Sequence, residues 1–139
     1  MSKEMMPQGP GPGDFTSQDA WKAAREMTNA IYALEDRFPA DEIPVLFARL
    51  REAAIDLGAR VAEGYGSQSA VAPGTLSPKM AGEALGKLAA LWHYISTCRD
   101  RFLIDDTQIA EFERLHDRIR AGCHPPGEGS PGAKESRGA

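Results

Sequence analysis

Glu113-x-x-His116 is a spacing that could do chemistry. On a helix, three residues put a carboxylate and an imidazole on one face, the element with which four-helix di-iron and di-manganese bundles hold their metals. Such a site needs a second element of the same kind and inward Glu residues from the other helices. The second element is missing: His93 follows Ala90 by three residues, and Tyr94 cannot stand in for two oxygen ligands. No metal and no cofactor are expected, and Glu113 and His116 read as surface residues. Cys123-His124 pairs a nucleophile type with a base type, yet adjacent residues cannot easily present both side chains to one substrate atom. The glycines of Gly64-Tyr65-Gly66 could cradle a phosphate if they opened a helix; here they close one, so the positive end of its dipole points away. No catalytic residue is expected, and the chain reads as a non-enzyme.

Charged side chains offer binding in place of catalysis. Arg49, Glu52, Asp56, Arg60 and Glu63 fall three or four apart on one face of a helix. One reading is a solvated surface in which Asp56 and Arg60 make a favourable i,i+4 pair. The other is a mixed-charge face that docks on a neighbouring subunit, each carboxylate meeting an Arg across a symmetric contact. Glu63 sits beside the negative end of its helix, an unfavourable place. It reads either as a solvated last-turn carboxylate or as one that has a partner, Arg60 or an Arg from another helix or subunit. Arg99, Arg101, Arg114, Arg118 and Arg120 form a weak basic group and are the nucleic-acid candidates. Asp100, Asp105, Asp106, Glu111, Glu113 and Asp117 lie among them and dilute any field that a phosphate would feel.

The elements that must position these residues are helices. Apolar residues recur at helical spacing in four segments, and no run alternates with the period of two that a strand requires. The first helix is expected from Thr16 or Ser17, with a capping box to Asp19, as far as Arg37 before Pro39. Its stripe is Trp21, Ala24, Met27, Ile31, Leu34 and Phe38. The second takes Asp41 as N-cap and Pro44 in its first turn, buries Leu46, Leu50, Ala53, Ala54, Leu57 and Val61, and unravels after Gly64 and Gly66. Ser77 and Pro78 open the third, with the stripe Ala81, Leu85, Leu88, Trp92, Ile95 and Phe102 and with Cys98 beside it. Asp105 or Asp106 caps the fourth, whose stripe is Ile109, Phe112, Leu115 and Ile119. Short connections favour antiparallel neighbours, so the fold class is an all-α, up-down antiparallel four-helix bundle over residues 14–123.

Residues 1–13 hold three Pro and three Gly, and residues 125–139 three Pro and four Gly. Neither stretch can bury enough apolar surface to offset its ordering entropy, so tails 1–13 and 124–139 are expected to be disordered. The 139 residues suit one domain, and the formal net charge of -4 opposes non-specific adhesion to phosphate backbones. Two cysteines without a CxxC spacing give no disulfide framework. With no apolar leader and no run approaching a membrane span, the chain is expected to be cytoplasmic and without a membrane partner.

Five stretches in order carry a resemblance: Trp21-Lys22-x-Ala24, Ile31-Tyr32-x-Leu34, Phe38-Pro39-x-x-Glu42, Arg51-x-Ala53-Ala54 and Val61-Ala62-Glu63-Gly64-Tyr65-Gly66. The chain resembles the small bacterial four-helix bundle family first noticed as reading frames in intervening sequences of large-subunit ribosomal RNA genes. That family is related to the accessory variability proteins of diversity-generating retroelements. The likeness is clear from Gln18 to Gly66 and is a matter of pattern beyond. It implies a non-enzymatic bundle that assembles as a homopentameric barrel, with retroelement relatives that bind a reverse transcriptase and nucleic acid through a basic surface. This chain departs from the family pattern at Glu52 (usually Arg), Asp56 (Ser), Gly58 (Pro), Arg60 (Asn) and Ser67 (often Arg). Glu52 in place of Arg changes the local charge by two units, which weighs against nucleic-acid binding more than against the fold. The leading expectation is a self-associating interaction scaffold, with a nucleic-acid or reverse-transcriptase accessory protein as the alternative.

Overall fold

The computed structural model describes residues 12–124, and the expected tails at 1–11 and 125–139 lie outside them. Among the described residues the chain is all-helical, with four long helices: α1 (Asp19–Tyr32), α2 (Ala48–Gln68), α3 (Pro78–Asp100) and α4 (Asp106–Gly122). α1 packs on α2 and α4, and α3 packs mainly on α2 and lightly on α4. Residues 12 and 13, placed in the tail by their composition, belong to a 3-10 turn, Pro12–Ser17. His124, placed in a tail by its sequence, lines a cavity with Tyr65 and Arg118.

Two of the four helix starts follow the capping chemistry read from the sequence. The Ser77 hydroxyl accepts from the Met80 N–H with Pro78 in the first turn of α3, and Asp105 and Gln108 form a reciprocal capping box on α4, both bonds at 2.9 Å. The other two depart from it. No capping box joins Thr16 to Asp19; Gln18 is the N-cap of α1, and the Asp19 carboxylate turns to Arg118 at 2.7 Å. α1 stops at Tyr32 and gives way to a 3-10 turn, Glu35–Arg37, because Pro39 holds Phe38 extended. Asp41 is not an N-cap: a 3-10 turn (Ala40–Glu42) and a wide π-turn (Ile43–Phe47) lead into α2, and Pro44 supplies no N–H there.

α2 also outlasts its glycines, running on to Gln68. Gly64 is there for close packing, since a Cβ on it would lie 2.6 Å from Leu76 Cδ2 and 3.4 Å from Met80 Cβ. Gly122 serves the same purpose on α4, where a Cβ would come within 2.5 Å of Ala20 Cβ. The Tyr65 hydroxyl donates to the Gly122 carbonyl at 2.6 Å. The start of α1, the end of α2, the start of α3 and the end of α4 therefore meet at one pole. At the other, Arg37 reaches Asp105 (3.6 Å) and Arg99 reaches Asp106 (3.5 Å).

The core mixes small and large side chains. Ala20, Ala23, Ala24, Ala54, Ala81 and Ala84 let the helices approach, while Met27, Ile31, Phe47, Leu50, Leu57, Leu91, Ile95, Phe112, Leu115 and Ile119 fill between them. The predicted stripes of α1, α2 and α4 are buried apart from half-buried Trp21 and Ala53. In α3 the buried line is Ala81, Ala84, Leu88, Leu91, Ile95 and Cys98, with Leu85 and Trp92 on its flank. Phe102 is outside it: α3 ends at Asp100, and Phe102 stands 91% exposed at φ +63°. No charged side chain among the described residues is buried, so the charged candidates all belong to surfaces.

Candidate functional site

The predicted charged face of α2 lies along its junction with α3. Arg49, Glu52 and Asp56 join Ala53 of α2 and Lys87, Ala90 and Tyr94 of α3 around a hollow of about 190 Å³. Next to it Arg60, Gly82, Glu83, Gly86, Lys87 and Ala90 line an open groove of about 380 Å³. The small residues Gly82, Gly86 and Ala90 recur every fourth position of α3, and a Cβ placed on either glycine meets nothing within 4 Å. Lys87, Tyr94 and this repeat were missed by sequence reasoning. The four-residue recurrence was the available signal; that it faces the charges of α2 was not readable.

Ion pairing divides the candidates. The expected Asp56–Arg60 pair does not form, because the Arg60 guanidinium turns the other way, to Glu63 at 3.0 Å and to Glu83 of α3 at 3.5 Å. Glu63 thereby has Arg60 as a partner, one of its two readings, while its side chain stays 61% exposed. Arg49, Glu52, Asp56 and Lys87 make no ion pair with any described residue. Two cations and two carboxylates thus surround one hollow, none of them matched by a described residue.

The basic candidates behave in the opposite way. Arg118 of α4 grips Asp19 of α1 with two donors, at 2.7 and 3.1 Å, and reaches Glu26 at 3.3 Å. The bond to Asp19 raises the Arg118 pKa above its ordinary value, and the same bond lowers that of Asp19. Arg114 is held by Glu111 at 2.6 Å and lies 3.8 Å from Glu26; its hydrogen bond lowers the Glu111 pKa. Arg99 has Asp106, while Arg101 and Arg120 have no carboxylate partner among the described residues. The five are not gathered in one place: Arg99 and Arg101 mark the start of α4, and Arg118 lies about 18 Å further along it. The field of Arg114 and Arg118 is closed by α1, whose Asp19 and Glu26 stand 99 and 92 residues away in the chain.

The remaining motifs find ordinary places. His116 packs against Trp92 with ring centroids 5.1 Å apart and planes tilted by 53°, and bonds to Asp117 at 3.1 Å, while Glu113 is exposed. No group of three or more His, Cys, Asp or Glu side chains gathers into a metal-binding arrangement among the described residues. The Cys123 thiol is buried and pushed up to about 11, away from the thiolate that a nucleophile needs; burial does the same to Cys98. Among the described residues no helix is long and apolar enough to cross a membrane. No family model matches the chain, and no curated protein is significantly similar to it.

Proposed function

We propose that this protein is a non-catalytic, cytoplasmic four-helix bundle of up-down antiparallel topology that assembles with copies of itself, five in a closed ring, and acts as an interaction scaffold. The meeting of alternate helix starts and ends at each pole supports the topology. The observation that carries the self-association is the hollow between α2 and α3, where Arg49 and Lys87 face Glu52 and Asp56 without partners. A balanced set of unmatched charges suits a surface that carries both signs, as another copy does, and mixed signs disfavour a polyanion. Small residues beside it, at Gly82, Gly86 and Ala90, allow a helix to come close. The resemblance to the bundles encoded in ribosomal intervening sequences supports five as the number and a closed ring as the form.

Light scattering on the purified chain tests the reading. A mass near five times the 15.0 kDa of one chain is expected, and a monomer at micromolar concentration would sink it. A second reading, a nucleic-acid or reverse-transcriptase accessory protein, is favoured by one observation: Arg101 and Arg120 are exposed and carry no carboxylate.

A further inference from the structure

α3 closes with two backbone bonds in which the Phe102 N–H reaches the Arg99 carbonyl and the Leu103 N–H the Cys98 carbonyl, each at 2.9 Å. That closure puts its penultimate residue in the left-handed region, where glycine is the usual occupant. Phe102 occupies it here at φ +63°. Leu103 turns inward beside buried Cys98, whereas the ring of Phe102 is 91% exposed. The backbone at this position is one that L side chains resist, and the side chain adds nothing to the core.

We propose that Phe102 is the anchor of self-association and that its ring seats in the α2–α3 hollow of a neighbouring copy. The proposal rests on the self-association reading above and names the two patches that meet. The hollow measures about 190 Å³, and about 150 Å³ suffices for a benzene ring. Ala53 and Ala90 give it an apolar floor, Tyr94 an aromatic wall for an edge-to-face contact, and Arg49 and Lys87 cations that favour a ring face. Asp100 and Arg101 flank the anchor and have no ion partner among the described residues. They supply the charges that the hollow leaves unmatched, Arg101 for Asp56 and Glu52, and Asp100 for Lys87 and Arg49. An aromatic anchor in a pocket with a charged rim is the arrangement in which a few residues carry most of an interface's binding energy. Knob and hollow are different patches, so the contact is head-to-tail and repeats from copy to copy, giving a ring where the rotation between copies closes and a filament where it does not.

The test compares the full chain with Phe102→Gly by light scattering over a dilution series, and by denaturant unfolding at a concentration where both are dissociated. The substitution is expected to weaken association at least tenfold while moving the unfolding midpoint of the dissociated chain upward, because glycine relieves the left-handed backbone. A residue with a merely structural role cannot give that pair of opposite effects. An unchanged mass for Phe102→Gly at every dilution overturns the anchor and leaves self-association standing; a wild-type chain that is monomeric throughout overturns both. Arg101→Glu is expected to weaken association and Asp56→Arg added to it to restore it, and failure of the restoration overturns the hollow as the seat.

Discussion

Tyr65 spans 57 residues of sequence with one hydrogen bond, joining the end of α2 to the carbonyl of Gly122 at the end of α4. Its ring is only 4% exposed, and the bond itself is part-buried beside an open cavity that both residues line. Tyr65→Phe keeps the packing and strands the carbonyl, and should cost about 1–2 kcal/mol in chemical denaturation. Burial lifts the phenol from an ordinary 10.0 to about 12, with Cys123 and Asp19 adding to the shift. The buried thiols of Cys98 and Cys123 rise from 9.0 to about 11. For all three the folded value is the higher one. Their stabilisation is therefore complete below pH 9 and is lost as pH climbs through about 11 to 12, because the unfolded chain gives up its protons first. An unfolding series from pH 8 to pH 12 should show stability falling across that window, less steeply in Tyr65→Phe.

At the scale of the helix, glycines of one type do opposite things. Gly86 lies on the open side of α3, where a Cβ meets nothing, and Gly86→Ala should stabilise the dissociated chain by up to about 1 kcal/mol. Gly122 has Ala20 Cβ at 2.5 Å and the Tyr65 hydroxyl at 3.1 Å from where its Cβ would be, and Gly122→Ala should destabilise by about 1–3 kcal/mol. Thermal melts at one dilute concentration separate the two signs. The same contrast shows what sequence could convey about elements. Caps act through neighbours, so Ser77 and Asp105 were readable. The partners of Gly64 and Gly122 come from elsewhere in the fold, Leu76 from the α2–α3 connection and Ala20 from α1, so those glycines looked like stops or ends. Phe102 fell seven residues after Ile95 and seemed to extend the core line, but the helix had already closed; Ile104 took the buried place, with Leu103 half-buried beside it.

Over the whole molecule, charge is sorted by helix pair. On the α1–α4 side Arg114 and Arg118 are matched internally, through Asp19, Glu26 and Glu111, while around the α2–α3 hollow two charges of each sign have no ion partner among the described residues. The four-helix fold was legible because apolar period and turn chemistry are local properties. The pairing was not, because which acid faces Arg118 depends on how α1 and α4 meet. Titration against single-stranded RNA, duplex RNA and duplex DNA should give no binding that survives about 200 mM salt. Retention there would place the accessory reading ahead of the scaffold.

The contact between Ala20 and Gly122 has one more consequence. Because the start of α1 and the end of α4 touch at one pole, and the α2–α3 connection between Gln68 and Ser77 sits at that same pole, the order of the helices along the chain is separable from their arrangement in space. A circular permutant, with α4 linked to α1 through the terminal residues and the chain opened between Ala70 and Gly74, should recover the helical circular dichroism of the parent and unfold in a single transition.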